Sequence, residues 1–384
     1  MSSDDPQSRA ADERAARRYH RVQFLLGALG LALGAVYLLV VLVTGAARLI
    51  DGAAAAVSDA VPWRVAAIAI VLGGLHRGLT FPLAWARGWW LPRRYGLLHQ
   101  SLRSWLGDRL KAALLAGGFG LIVVEVIYAL LAATTAWWLL AAGVLLAIEI
   151  AVALVFPVWL LPLFYRLTPL ADEGLSRRLL ELAGRARIAA VGVWVADQSR
   201  KSRTANAALA GLGRTRRIIL FDTLVDRFAP EEINAVLAHE LAHHVHRDAW
   251  RGLAVQAAVT LISLALADRL LRLGAPLWEL RGIADPAGLP WLAAVMAGVG
   301  LLAAPLASAF SRRLEREADD LALTLTGDVP GFVAAMERLA ALNLAERRPH
   351  RLKELLFYSH PCIDRRIARA LGRAGVRISA SPGA

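Results

Sequence analysis

The chain has 384 residues, of which 57% are hydrophobic and 20% are charged, and its formal net charge is +13. Soluble domains are usually about half apolar and a quarter charged, so this composition indicates a membrane protein. The basic residues form no stripe interleaved with exposed aromatic side chains, which argues against nucleic acid as a partner, and the single cysteine, Cys362, excludes an internal disulfide.

An N-terminal arm, residues 1–23, precedes a series of apolar segments. Its first 20 residues are polar and rich in arginine and alanine, and we expect them to be poorly ordered. The first apolar segment is long and its leader is mixed in charge, which favours a retained anchor over a cleaved signal peptide. Six segments reach the roughly 20 residues that a helix needs to cross a bilayer: Phe24–Val43, Trp63–Leu83, Ala112–Ala133, Trp137–Leu161, Leu253–Leu271 and Pro290–Phe310.

Lysine and arginine are concentrated in every second connection between these six segments. There are five in the arm, six in residues 84–111, thirteen in residues 162–250 and thirteen from Ser311 onward. The other connections are almost bare. Because cytoplasmic loops are enriched in Lys and Arg, both termini and the 162–250 segment are predicted to be cytoplasmic, in what we expect to be a bacterial inner membrane.

Residues 162–250 form the first long polar segment, after a four-helix transmembrane region at 24–161. A helix is predicted at Glu173–Ala189, followed by two β-type runs, Val191–Val195 and Arg217–Phe221, that should pair in a small sheet. Pro230 then begins a second helix, with acidic residues in its first turn as the helix dipole favours. The sequence leaves open whether this helix runs straight on into the next two spans, at 251–310. A tail, 311–384, completes the chain.

The helix that begins at Pro230 carries His239-Glu240-Leu241-Ala242-His243, an HExxH pattern. Positions four apart lie on one face of a helix, so the two imidazoles can bind one metal ion, for which zinc is expected. Glu240 would act as the general base. His244 points about 100° away from His243 on the helix and is not expected to be a ligand.

A third ligand is predicted in the run that follows the sixth span. Glu315 and Asp319 are four residues apart, on the same membrane side as the histidines. Glu315 would complete the metal site, whereas Asp319 would accept the free ring N–H of a ligating histidine. We therefore expect one Zn²⁺ per chain, in a mainly α fold that combines a multi-pass transmembrane helical bundle, a cytoplasmic zincin-like zinc site and a small β-sheet.

Three charged residues, Arg77, Glu125 and Glu149, lie inside predicted spans. Such residues rarely face lipid, so they should line a polar chamber or pair with one another. They would also suit a membrane transporter or scaffold with a structural metal site. A structural zinc site, however, normally has four protein ligands, and this one has three together with a base.

Several motifs together resemble the type I CAAX prenyl proteases, the integral-membrane zinc endopeptidases that cut after a prenylated cysteine. The similarity covers most of the chain and keeps the motifs in the order of that family. The segments that carry it are Pro92–Ala112, PLFYRLTPL at 162–170, Val193–Val225, HELAH at 239–243, SRRLEREAD at 311–319 and Tyr358–Ile367.

The resemblance implies the same ligands, base and supporting carboxylate, and adds three residues. Asn206 matches a residue that contacts the substrate, His360 one that stabilises the developing oxyanion, and Arg366 the arginine that closes the HPxxxRI pattern. We expect Asn206 and His360 to flank an extended peptide added to the edge of the small sheet.

The substrate is expected to be a peptide or protein at the lipid bilayer, with lipid-modified and membrane-embedded chains as the candidates. The chain departs from the family by having Cys362 where a second proline is usual. Its composition suggests a bacterial source, and bacteria mostly lack protein prenylation. An HtpX-like quality-control protease is the alternative, although that type places two spans before HExxH and this chain places four.

Overall fold

The computed structural model describes residues 6–155, 159–211 and 216–375. The predicted fold class, a mainly helical membrane protein with a small sheet, is confirmed. Long runs of leucine, alanine and valine form helices because a helix satisfies its own backbone polar groups inside a bilayer. The helices of the N-terminal half are α1 (Pro6–Thr44), α2 (Ala46–Ala55), α3 (Val61–Trp85), α4 (Leu91–Arg94), α5 (Leu102–Ala133) and α6 (Trp137–Val155), with a π-helical turn at Ala86–Trp90.

The C-terminal half combines four short strands with eight helices among the described residues. The strands are β1 (Leu167–Pro169), β2 (Val193–Ala196), β3 (Ala207–Ala210) and β4 (Arg217–Phe221). The helices are α7 (Glu173–Arg185), α8 (Asp222–Val225), α9 (Pro230–Val245), α10 (Asp248–Gly274), α11 (Leu289–Thr326), α12 (Val329–Leu342), α13 (Arg351–Phe357) and α14 (Ile363–Arg373).

Five helical segments in the described residues are long and apolar enough to cross a membrane. They are Asp12–Thr44, Val61–Arg94, Leu102–Ala133, Asp248–Gly274 and Pro286–Thr326. The predicted fourth span, Trp137–Leu161, appears as the shorter apolar helix α6. Residues 156–158 of this predicted span lie outside the described part of the chain, so the fourth span, and with it the total of six, stays a prediction.

The N-terminal arm corrects one expectation. We expected residues 1–20 to be poorly ordered. Residues 1–5 lie outside the described part of the chain, but from Pro6 onward the arm belongs to α1, which continues into the first span. Ala16 on this helix is buried in a small cluster with Leu97 and Leu344, and His20 Nε2 lies 2.9 Å from the carbonyl oxygen of Leu344. Tertiary packing thus gives the polar arm the contacts that its composition did not predict.

The small sheet is larger than the sequence indicated. Its order is β1-β2-β4-β3, with β2 and β4 parallel and the outer strands antiparallel to their neighbours. The two predicted runs are therefore partners, but β3 covers the far side of β4. A strand of four residues rich in alanine has little β-propensity, which is why the sequence did not reveal it. The sheet edge next to α9 consequently belongs to β3.

The helix with the HExxH pattern stops before the membrane. α9 ends at Val245, and Arg247 adopts a left-handed conformation with φ 56° before α10 begins at Asp248. A positive φ ends the regular helix, so α9 and α10 are separate helices. α9 itself packs against α11, α12, α7 and β3, and its Leu237 and Leu241 are fully buried in the core of this half.

Within the described part of the chain, Arg77, Glu125 and Glu149 form no ion pair with one another. One carboxylate oxygen of Glu125 is buried and has no hydrogen-bond partner among the described residues. Arg77 is exposed and the two glutamates are half-buried, and the polar chamber stays a prediction for these side chains.

Candidate active site

The site is assembled on α9 by local sequence rules. Pro230 lies at the first position of the helix, where its missing N–H costs nothing, and the Glu232 carboxylate accepts the Ala229 N–H at 2.7 Å. Burial of Leu237 and Leu241 then fixes the rotation of the helix. The opposite face presents the imidazoles of His239 and His243 together.

His239 and His243 of α9 lie next to Glu315 of α11, and each residue contributes one potential ligand atom. The two Nε2 atoms are 3.3 Å apart. His239 Nε2 lies 3.2 Å from Glu315 Oε2, and His243 Nε2 lies 3.5 Å from Glu315 Oε1. The side chain of Glu315 comes from a helix 72 positions further along the chain than His243, so only tertiary packing brings the three together.

These separations, of which the last two end on different oxygens of Glu315, are close to those between the ligands of a tetrahedral metal ion. Ligand atoms held about 2.0–2.1 Å from a tetrahedral ion stand about 3.3–3.4 Å from one another. The donor set is two imidazoles and one carboxylate, the combination that catalytic zinc sites use while leaving a fourth position open. The residues present therefore fit a zinc ion.

Asp319 supports the first histidine from behind. Its Oδ1 lies 2.9 Å from His239 Nδ1, the ring nitrogen that faces away from Glu315. Arg366 donates two hydrogen bonds to the same carboxylate, at 2.8 and 2.6 Å, and is itself buried. Arg366 Nη2 also lies 3.3 Å from His239 Nδ1. A His239 tautomer that donates its Nδ1–H to Asp319 would have the Nε2 lone pair directed toward the site.

Asp248 plays the same part for the second histidine, and the sequence analysis missed it. Its Oδ2 lies 2.9 Å from His243 Nδ1, and its Oδ1 accepts a 2.8 Å hydrogen bond from Arg251. The signal was present in HELAHHVHRD, where an aspartate follows the second histidine by five residues. It was uninformative without the left-handed Arg247, because a continuous helix would carry Asp248 to another face.

The four carboxylates around the site differ in whether an arginine pairs with them. Asp319 and Asp248 each have an arginine, whereas no Lys or Arg nitrogen of the described residues pairs with Glu240 or Glu315. Burial raises the pKa of Glu240 above its usual range. Among the described residues, the charged partners of Glu315 are histidines alone, which suits a carboxylate that is to bind a metal ion.

His360 lies at the open side of this group. Its Nδ1 is 2.8 Å from Glu315 Oε2, and its ring is 61% exposed. The loop that carries it is anchored by the buried Arg312, whose guanidinium donates to the carbonyl oxygens of Tyr358 at 2.6 Å and Glu354 at 3.1 Å. Arg312 also escaped the sequence analysis, because its partners are more than 40 residues away.

Asn206 immediately precedes β3, and its side chain is exposed. Its carbonyl oxygen accepts the Phe221 N–H at 3.0 Å, which directs the strand along β4. His244, which was not expected to bind metal, instead has its Nε2 3.2 Å from the Leu209 carbonyl oxygen. The metal-site helix is thus joined directly to the edge strand.

Comparison with known proteins agrees with this geometry. A sequence model of peptidase family M48 matches residues 169–374, and one described as CAAX prenyl protease N-terminal, five membrane helices, matches residues 8–166. Together they cover nearly the whole chain, and the first alone covers more than half. The resemblance drawn from the motifs is confirmed.

Individual relatives give the same result. The uncharacterized metalloprotease YhfN of Bacillus subtilis is 29% identical over 363 residues, 92% of this chain and 84% of that protein. CAAX prenyl protease 1 of Saccharomyces cerevisiae is 32% identical over 177 residues, 45% of this chain and 39% of that protein. The crystal structure of S. mikatae Ste24p is 22% identical and has a TM-score of 0.84, covering 94% of this chain and 89% of that one, which supports the fold.

Proposed function

The chain belongs to peptidase family M48 and is an integral-membrane metalloendopeptidase, and on that premise we propose that it holds one zinc ion per chain through His239, His243 and Glu315. The observation that carries this proposal is the convergence of one ligand atom from each of the three residues within 4.8 Å, with both outer ring nitrogens facing carboxylates. Two histidines that face one carboxylate, each with a second carboxylate behind its ring, are the arrangement expected of a metal site.

The catalytic roles follow from the surroundings of each side chain. When bound, zinc supplies Lewis acidity that polarises the scissile carbonyl and makes a water molecule more acidic. Glu240 takes the proton of the attacking water and passes it to the leaving amine, and its raised pKa suits the second transfer. Asp319 and Asp248 hold the two imidazoles in the ligating tautomer, and Arg366 holds Asp319.

The peptide is proposed to bind as an extra strand along β3. The outward side of this strand has no strand neighbour in the described sheet, and it adjoins the HExxH helix. Main-chain hydrogen bonds to such an edge bind an extended peptide with little dependence on sequence. Asn206 would then bond the peptide backbone, and His360 would stabilise the oxyanion from the other side.

The substrate is proposed to be a polypeptide presented at the membrane, with lipid-modified and membrane-embedded chains as the candidates. The match of the N-terminal model favours the prenyl-protease architecture over the HtpX type. The alignment to the yeast CAAX prenyl protease covers under half of each chain, so a prenylated substrate rests on that partial likeness.

We further propose that the site faces the cytoplasm of a bacterial inner membrane, because Lys and Arg are concentrated on its side of the bundle. Cysteines introduced near positions 10, 55, 210 and 380 test this orientation. The native Cys362 is buried and should contribute little background. Only the site near 55 should react with an external reagent, and external labelling near 210 would overturn the orientation.

The catalytic assignment is tested with Glu240→Gln. This variant should retain about one zinc per chain, since Glu240 is not a ligand, and should lose about 10²–10⁴-fold in turnover of a test peptide. Metal content is measured on the purified protein in detergent. Turnover that stays at the wild-type level would remove Glu240 from its role as the base.

A further inference from the structure

A buried lysine lies outside the metal site. Lys201, in the connection between β2 and β3, is only 8% exposed. Lysine is rarely buried unless its charge is paired, because removing an ammonium group from water is costly. The groups that contact the Lys201 ammonium therefore indicate its structural role.

Three segments surround the Lys201 ammonium group. Its Nζ lies 2.5 Å from Asp108 Oδ2 on α5. The ring centroids of Tyr165 and Phe164, in the connection from α6 to β1, lie 4.7 and 5.6 Å from it. Gln100 supports the carboxylate by donating to the same Asp108 oxygen at 2.7 Å. The Lys201 ammonium group thus joins α5 to the connection between α6 and β1 and to its own connection between β2 and β3.

The backbone of Lys201 is held by the same region. Its carbonyl oxygen accepts the N–H groups of His99 and Gln100 at 2.8 and 3.1 Å. Two residues later, the Arg203 N–H donates to the Leu97 carbonyl oxygen at 3.1 Å. The link between α4 and α5 therefore runs antiparallel to the chain at Lys201, as a short joint between the two halves.

The chain from this joint leads directly to the peptide-binding edge. The Thr204 carbonyl oxygen accepts the Thr223 hydroxyl at 2.7 Å, and the Ala205 N–H donates to Asn343 Oδ1 at 3.1 Å. Asn206 is the next residue, and β3 follows it. Lys201 is therefore connected to the edge strand through the five consecutive residues 202–206. The described groups around Lys201 do not include His239, His243 or Glu315.

We propose that Lys201, paired with Asp108, is a positioning residue that sets Asn206 and β3 at the correct distance from the membrane helices for peptide binding. This inference rests on the proposed binding of peptide along β3. Loss of the pair should misplace the edge while leaving the metal ligands and Glu240 in place. The expected signature is weaker substrate binding with unchanged chemistry, because contacts made equally in the ground and transition states affect KM and not kcat.

The test compares initial rates of a fluorogenic peptide for zinc-loaded variants of the full chain in detergent. Lys201→Met should raise KM about tenfold, with kcat and zinc content within about twofold of wild type. Lys201→Arg, which retains the charge, should recover part of the loss. Lys111→Met is the matched control: Lys111 lies 3.8 Å from the same aspartate but is mostly exposed, so its KM should not change.

A lone methionine would leave the half-buried Asp108 with only the more distant and mostly exposed Lys111 as a charged partner, which weakens folding. The double variant Lys201→Met/Asp108→Leu removes both charges and should fold with the same rise in KM. An unchanged KM in either folded variant, or a fall in kcat together with zinc loss, overturns the inference.

Asn206→Ala separates this inference from the proposed function beneath it. If Asn206→Ala raises KM and the Lys201 variants do not, only the positioning role is wrong. If Asn206→Ala and His360→Ala both behave as wild type, the peptide-binding edge itself is wrong, and the role of Lys201 falls with it.

Discussion

Two buried charge clusters lie at opposite ends of the helical bundle, and they are balanced differently. The far-end cluster consists of Asp51, Arg64, Arg281 and Asp285, with two carboxylates and two guanidinium groups. Arg64 donates to both Asp51 oxygens at 2.8 and 2.5 Å, and Arg281 bridges Asp51 and Asp285 at 2.9 Å. The cluster therefore needs no further ion.

The metal-site cluster has four carboxylates against two arginines. Asp319 and Asp248 are neutralised by Arg366 and Arg251, whereas Glu240 and Glu315 are not. With neutral histidines and both glutamates ionised, the two remaining negative charges equal the charge of one divalent cation, in agreement with the proposed zinc ion. The comparison sets a cluster in which arginines balance every carboxylate beside one in which they do not.

The distance between the clusters makes them independent. The far-end cluster links α2 and α3 to the connection that precedes α11, and Glu315 lies 26 residues after the first residue of that helix. At 1.5 Å per residue this places the two clusters about 39 Å apart along the helix. Mutations in one should not disturb the other beyond a few tenths of a kcal/mol.

Removal of a carboxylate from the unbalanced cluster should have the largest effect. Glu315→Ala should reduce zinc from about one per chain to near zero and abolish peptide cleavage, because the site loses a ligand and half of its charge deficit. Glu317→Ala is the control on the same helix. The Glu317 carboxylate pairs with Arg251 and Arg313, so its loss should leave the zinc content unchanged. Full zinc occupancy in Glu315→Ala, measured by metal analysis, would remove Glu315 from the ligand set.

Breaking the balanced cluster should cost stability and not metal. Arg64→Met leaves Asp51 buried beside a single arginine and should lower the free energy of unfolding by about 3–5 kcal/mol. Zinc content should not change. The experiment follows the apparent Tm in detergent together with metal content, with Arg64→Met/Asp51→Leu as the comparison that should recover part of the loss. A stable Arg64→Met protein would show that the far-end cluster does not hold these helices together.

Weakening a supporting carboxylate should have an intermediate effect. Asp248→Asn keeps an acceptor for His243 but loses its charge, and should weaken zinc binding about 10–100-fold. Competition with a chelator measures this affinity. Asp320→Asn provides the control, because Asp320 pairs with Arg369 and Arg373 on the surface and contacts neither histidine. Equal affinities for both variants would contradict the role given to Asp248.

The smallest effect is expected at an exposed pair near the far-end cluster. Arg48 and Glu279 form an ion pair with side chains 48% and 77% exposed. Solvent screening limits such pairs to about 0–1 kcal/mol, so Arg48→Ala should change the unfolding free energy by no more than that. If Arg48→Ala lowered the unfolding free energy as much as Arg64→Met, burial would not explain the difference in strength between the two ion pairs.

The sequence was sufficient wherever contacts are local or a pattern is long. The HExxH spacing places His239 and His243 on one face of a helix whatever the rest of the chain does. The apolar segments predicted the bundle, because a membrane-crossing helix needs about 20 apolar residues in a row. The sequence missed β3, was wrong about the arm that forms the start of α1, and left open the break at Arg247. These features are short or depend on packing between distant segments.

By itself, then, the sequence determined the fold class, the family and the candidate zinc-binding residues, because each follows from local spacing, composition or motif order. The tertiary structure alone decided which carboxylates are balanced by arginine and which are left to a cation. It also decided that Asp248 faces His243 and that Lys201 meets Asp108, 93 residues earlier. The physical reason is that charge pairing depends on distances of a few ångströms between segments far apart in the chain, and no local pattern encodes those distances.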